Sequence, residues 1–122
     1  MDPNVTNNSG NTVLHKTAYN GHLDCVKYFV EEAGVDPRVT SKCGSTVLHL
    51  AAYNGHIECV EYFVTEKSID PNAGDRDGKT ALHYAAENNN LECVEFLLSV
   101  RGIDPKIKSN GGKTFLDIWK DG

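Results

Sequence analysis

Gly44-Ser45-Thr46-Val47-Leu48-His49 is one of four related stretches that recur in register along this chain. Its counterparts are Gly10-Asn11-Thr12-Val13-Leu14-His15, Gly78-Lys79-Thr80-Ala81-Leu82-His83 and Gly112-Lys113-Thr114-Phe115-Leu116-Asp117. The threonines stand at 12, 46, 80 and 114, always 34 residues apart. A fixed period of about 20 to 50 residues marks a stacked array, not a globule around one central cleft. In an array each unit touches only its neighbours, and function sits on the continuous surface of the stack. The period therefore points to a binding scaffold before any single residue does.

Working outward, each copy reads as one helix-turn-helix unit. In the third, Asp75-Arg76-Asp77-Gly78 is turn chemistry, with Gly able to take positive φ. Thr80 is a helix N-cap. Leu82, Ala85 and Ala86 follow at helical spacing, and the small alanines admit a neighbouring helix. Glu87-Asn88-Asn89-Asn90 breaks the pattern. A second helix follows, with Leu91, Val94 and Leu98 on one stripe and Cys93 and Leu97 beside it. Gly102 ends it as a C-cap glycine, and Ile103-Asp104-Pro105 is extended, because Pro disfavours helix before it. The second unit repeats this with Leu48, Ala51, Ala52, Ile57, Val60 and Val64, and the first with Leu14, Ala18, Leu23, Val26 and Val30. Helices this short are marginal alone, so burial between neighbours must hold them.

The chain of 122 residues, with 39% hydrophobic and 24% charged residues, is expected to fold as a single domain. The repeat divides it into the tail of an incomplete unit (1–6), units at 7–40, 41–74 and 75–108, and a partial fourth at 109–122. Those ends read as a fragment of a longer protein or as a small protein with an atypical cap. The net charge of −5 argues against general nucleic-acid binding. No apolar run reaches membrane-spanning length, and residues 1–6 lack the pattern of a secretion signal. Cys25, Cys59 and Cys93 also recur every 34 residues. Stacked helices lie roughly 8–10 Å apart, too far for a disulfide, so these three are expected to be buried hydrophobes. Free thiols favour a reducing, cytoplasmic setting.

Thr46-Val47-Leu48-His49-Leu50-Ala51-Ala52 and Gly55-His56-Ile57-Glu58-Cys59-Val60 closely resemble the ankyrin repeat, whose core phrase is Thr-Pro-Leu-His-x-Ala-Ala followed by Gly-His-Leu/Ile-Glu. The resemblance covers almost the whole chain. It implies an all-α solenoid of stacked helix-turn-helix units with β-hairpin or loop fingers projecting from one side. Here the helix-opening Pro is replaced by Val13, Val47, Ala81 and Phe115. Asn89-Asn90 replaces Gly-His, and Lys16-Thr17 replaces Leu-Ala, so the first helix is expected to pack less tightly. The period is 34 against the family's usual 33, with the extra residue expected near Glu32-Ala33-Gly34. Trp119 stands where Ala51 and Ala85 stand.

The resemblance also places partner contacts on finger tips and the exposed ends of first helices. Mapped onto this sequence, that surface comprises Ser9, Asn11, Lys42, Cys43, Ser45, Arg76, Asp77 and Lys79 on the fingers, and Tyr19, Asn20, Tyr53, Asn54, Glu87 and Asn88 on the helices. Tyr19 and Tyr53 are expected to stack in a row, and tyrosine suits interfaces. Glu31, Glu32, Glu58, Glu61, Glu66, Glu92 and Glu95 fall on second helices, whereas Arg38, Lys42, Arg76, Lys79, Lys106, Lys108 and Lys113 fall in fingers. Asp75 and Asp77 dilute these cations, and the resulting mildly basic, tyrosine-bearing inner face suits an acidic peptide or protein.

Catalysis is not expected. His15, His49 and His83 recur by architecture, and residues repeated in this way do not converge on one site; the family uses them for hydrogen bonds. Cys43 beside Lys42 could be a sensitised thiol, but no partner His is placed near it. Gly111-Gly112-Lys113-Thr114 lacks the upstream glycine and strand of a phosphate loop. No metal or cofactor is implied. The leading expectation is a monomeric, non-catalytic protein-binding scaffold. The alternatives are a ligand-sensing domain holding a nucleotide-like anion between Tyr19, Tyr53 and finger cations, or an architectural or engineered segment with no dedicated partner.

Overall fold

The computed structural model describes residues 6–121, with side chains described as far as Trp119. The expected tail at 1–6 lies, apart from Thr6, outside them. Among the described residues seven α-helices run α1 (Val13–Tyr19), α2 (Leu23–Lys27), α3 (Val47–Tyr53), α4 (Ile57–Glu61), α5 (Ala81–Glu87), α6 (Leu91–Ser99) and α7 (Phe115–Asp121). The first helices α1, α3, α5 and α7 form one row, each against the next, and α2, α4 and α6 form a second. The core lies between the rows. Leu14, Leu48 and Leu82 seal each pair from within, and Ala18, Ala51, Ala52, Ala85 and Ala86 let the first helices approach. Burying one leucine contributes about 1.5–3 kcal/mol, so packing of this stripe stabilises the fold more than any polar contact.

The repeated Thr-x-x-His is a lock. Thr12 and Thr46 hydroxyls accept from the backbone N–H of His15 and His49 at the helix starts. The backbone N–H of Thr12, Thr46 and Thr80 donates back to Nδ1 of His15, His49 and His83 at 3.0, 3.1 and 3.0 Å. With Nδ1 accepting, the proton sits on Nε2. Nε2 then donates to the next finger: His15 to Ser45 O, His49 to Ala73 O, His83 to Lys113 O. Asp117, in the His position of α7, closes its own cap by accepting from the Thr114 N–H.

Fingers rather than hairpins connect the units. Each is a tight turn closed by two backbone bonds, for example Gly44 N–H to Ser41 O and Ser41 N–H to Ser45 O. The only β-bridge among the described residues is Thr40 to Thr46. The expected β-hairpin character is thus reduced to turns.

Two of the three second helices end in π-helical turns, the first of them reaching the stretch Glu32-Ala33-Gly34 where the extra residue was expected. Tyr28–Glu32 and Tyr62–Glu66 continue α2 and α4 as π-helical turns. Ala33 N–H donates to Tyr28 O and Lys67 N–H to Tyr62 O, five residues back. A π turn holds one residue more than an α turn. In the third unit α6 stays α-helical through Ser99.

Two other expectations need correction. Cys59 and Cys93 are buried, and burial pushes both thiols up to about 11. Cys25 is exposed, because no second-helix neighbour covers α2 on that side among the described residues. Leu91 and Leu98 are also exposed, so the buried face of α6 is Cys93, Val94 and Leu97. Lys16 is exposed as expected, but Leu14 and Ala18 still bury fully.

The turn after each second helix needs a left-handed residue. Gly34 and Gly102 supply it at φ 74° and 89°, and Ser68 holds φ 54° in the same place. Ser68→Gly should therefore stabilise the fold by up to about 1 kcal/mol. Gly55 is constrained twice: its φ is 72°, and a Cβ would sit 2.7 Å from Asn90 Oδ1. Gly55→Ala should destabilise by more than about 1 kcal/mol. Urea unfolding of both variants checks the pair, and opposite signs are the expected result.

Burial lowers the His15 and His49 pKa values below the ordinary 6.5, although their bonds to Ser45 O and Ala73 O pull the other way. The unfolded chain therefore takes up protons first as the pH falls. Stability from these rings is complete above pH 6.5 and declines below it. The urea midpoint should be lower at about pH 5 than at about pH 8, and equal midpoints would refute this.

Candidate interaction surface

The finger tips are joined into a ledge. Lys42 N–H donates to Ser9 O, Arg76 N–H to Cys43 O and Asn110 N–H to Asp77 O, at 3.0, 3.0 and 2.7 Å. Asn110 Nδ2 also donates to Arg76 O. Each tip thus fixes the next, and the side chains of Ser9, Lys42, Cys43, Arg76 and Asp77 stand exposed along the ledge. Asn11 is half-buried, its N–H donating to Asn7 Oδ1.

Below the ledge, first helices form the floor, and Tyr84 is its centre. Its ring stacks on His49 with centroids 4.9 Å apart, and Tyr53 meets its edge at 6.1 Å. Its hydroxyl donates to Asp75 Oδ2 and lies 3.4 Å from Ser45 Oγ. Asp75 also accepts the N–H groups of Asp77 and Lys79. Burial opposes ionisation of Asp75, but these donors outweigh it, led by Tyr84, and its carboxyl stays below the usual carboxylate range. The Tyr84 hydroxyl is pushed well above its usual range, first by burial and then by that carboxylate.

Several expected contact residues have structural work here. Lys79 Nζ lies 2.9 Å from Glu87 Oε1, both half-buried, and this bond is the main cause of the raised Lys79 pKa. Lys42 and Arg76 stand exposed on the ledge, and Lys108 and Lys113 are exposed at the last finger. Asn54 Nδ2 and His56 Nε2 donate to Tyr19 O, and Asn88 Nδ2 to Tyr53 O. They fill helix-end carbonyls that lack a partner within the helix. Asn90 replaces the repeat's His without losing the contact, donating to Ala52 O and Tyr53 O. Tyr19 and Asn20 are exposed. The expected Tyr19–Tyr53 stack does not form; Tyr53 pairs with Tyr84 instead.

Sequence reasoning missed Tyr84 and Asp75. The available signal was variation: Lys16, Leu50, Tyr84 and Ile118 share one first-helix position. The glutamates of the second helices are exposed on the far side, as their spacing indicated. Among the described residues no group of His, Cys, Asp or Glu is placed to hold a metal ion, and no helix is long and apolar enough to cross a membrane.

Tyr84→Phe removes the donor but keeps the ring. It should cost about 1–2 kcal/mol and raise the Asp75 pKa toward its ordinary 3.8. An NMR titration of the Asp75 carboxyl checks this, and an unmoved value would remove Tyr84 from the account.

Two family models match the chain. The model for ankyrin repeats in three copies covers residues 32–109, and the model for ankyrin repeats in many copies covers residues 1–51. No curated protein matches in sequence. Ankyrin repeats are generally protein-interaction modules. With the repeated lock, the two helix rows and these matches in agreement, the chain belongs to the ankyrin-repeat family.

Proposed function

We propose that this chain is a non-catalytic scaffold that binds another protein through its finger ledge and the adjoining first-helix floor. One observation carries the reading: backbone bonds from tip to tip hold Ser9, Lys42, Cys43, Arg76 and Asp77 in a fixed exposed row. A surface ordered before binding loses little entropy on binding. Tyr53 supplies aromatic area below the row, and Tyr19 extends it. The partner presents acidic groups to Lys42 and Arg76, two exposed cations of the ledge, while Lys79 is engaged by Glu87. The protein acts as a monomer in the cytoplasm, where its exposed Cys25 and Cys43 thiols stay reduced.

The nucleotide-like anion reading has weaker support. Tyr53 meets Tyr84 and not Tyr19, and of the finger cations Lys79 is engaged by Glu87.

The test is affinity capture from cytosolic extract with the wild-type chain and with Lys42→Glu/Arg76→Glu, both substitutions being at exposed positions. Proteins retained by the wild type should be lost at least tenfold by the variant, with losses shrinking as salt rises. Equal retention would contradict the ledge. A thermal shift on adding ATP would favour the anion reading instead.

A further inference from the structure

Two positions of the unit vary together. Just before each capping Thr stand Asn11, Ser45, Lys79 and Lys113. Eight residues on, as the last residues of α1, α3, α5 and α7, stand Tyr19, Tyr53, Glu87 and Asp121. Where the first position is neutral the second is tyrosine; where the first is lysine the second is an acid. The chain therefore carries two kinds of unit. One closes its first helix with an aromatic ring, and the other sets an acid there for each lysine at the foot of the finger.

The third unit shows what the pairing does. Helix α5 has seven residues, about two turns. Lys79 Nζ and Glu87 Oε1 meet across it at 2.9 Å. The two side chains must therefore lie along α5 instead of standing out from it. They are 34% and 27% exposed. The pair is thus screened less than a fully exposed one, yet open enough for a partner to reach. Arg76, on the same finger, stands exposed. One finger thus carries one cation in the open and one that already holds a carboxylate.

Glu87 supplies the same chemical group that the ledge is proposed to recognise. We infer that Glu87 is a built-in competitor of the partner: it occupies Lys79 with the chain's own carboxylate, and an acidic partner gains that cation only by displacing it. The inference rests on the ledge reading above and adds its regulation. Glu87 confines acidic recognition on this finger to Arg76, whose backbone N–H ties it to the tip that carries Lys42. It lowers the affinity of every partner whose carboxylates reach for Lys79.

The probe is fluorescein-labelled hexaglutamate, titrated at low salt with the full chain and read by anisotropy. Glu87→Gln keeps the side-chain shape and removes the charge. It should tighten binding about two- to fivefold, the range that a partly exposed ion pair supports. A more positive chain attracts a polyanion wherever the charge sits, so the deciding comparison is Lys79→Gln with Lys79→Gln/Glu87→Gln. With no lysine to release, the gain should disappear. Circular dichroism checks that the variants, altered at positions open to water, keep the fold. Unchanged affinity in Glu87→Gln, an equal gain in the Lys79→Gln background, or no binding of the probe by either protein overturns the proposal. Lys42→Glu/Arg76→Glu keeps the two readings apart. If it abolishes binding while Glu87→Gln changes nothing, the ledge stands and the competitor falls; if binding survives it, the ledge itself falls.

Discussion

The neutral imidazole of His15, His49 and His83 ties one unit to the next. Each ring accepts a backbone N–H from its own cap through Nδ1 and donates through Nε2 to the following finger. Such a bond contributes only about 1 kcal/mol net, less than burial of the leucine beside it. Its importance is register. A ring bonded at both ends fixes where the next finger begins. The tip-to-tip backbone bonds depend on that placement.

Variation in this lock explains local differences. In the first and third units the ring reaches the residue just before the next Thr, Ser45 or Lys113. In the second, His49 reaches Ala73 instead, and Tyr84 stacks on its face. The Tyr84–Asp75–Ser45 cluster sits at this one junction. The centre of the floor is therefore unlike the other junctions, although the helices around it repeat faithfully.

Much of the architecture was legible because it repeats. The Thr caps, the leucine and alanine stripes, the left-handed glycines and the acidic outer face are dictated by local chemistry recurring every 34 residues. The site was only partly legible. Exposure of Lys42 and Arg76 followed from turn chemistry, but the Lys79–Glu87 pair, the Asn54 and Asn88 bonds and the Tyr53–Tyr84 contact join residues across turns or units. Periodicity places such residues in rows without saying which side chains in neighbouring rows meet. The π turns were hidden for a similar reason: units of one length end their second helices differently, α2 and α4 in π turns and α6 in none, and only the backbone bonds distinguish them. Cys25 and Leu98 are exposed because among the described residues no further second helix lies beside α2 or α6 on those sides, which a repeat pattern does not register.

The most direct test of the lock is long-range nitrogen–proton NMR of the histidine rings at neutral pH. Rings held as described give His15, His49 and His83 as fixed Nε2–H tautomers, with Nδ1 unprotonated. Rapidly averaging tautomers, or a proton on Nδ1, would mean that the units are not joined through these rings.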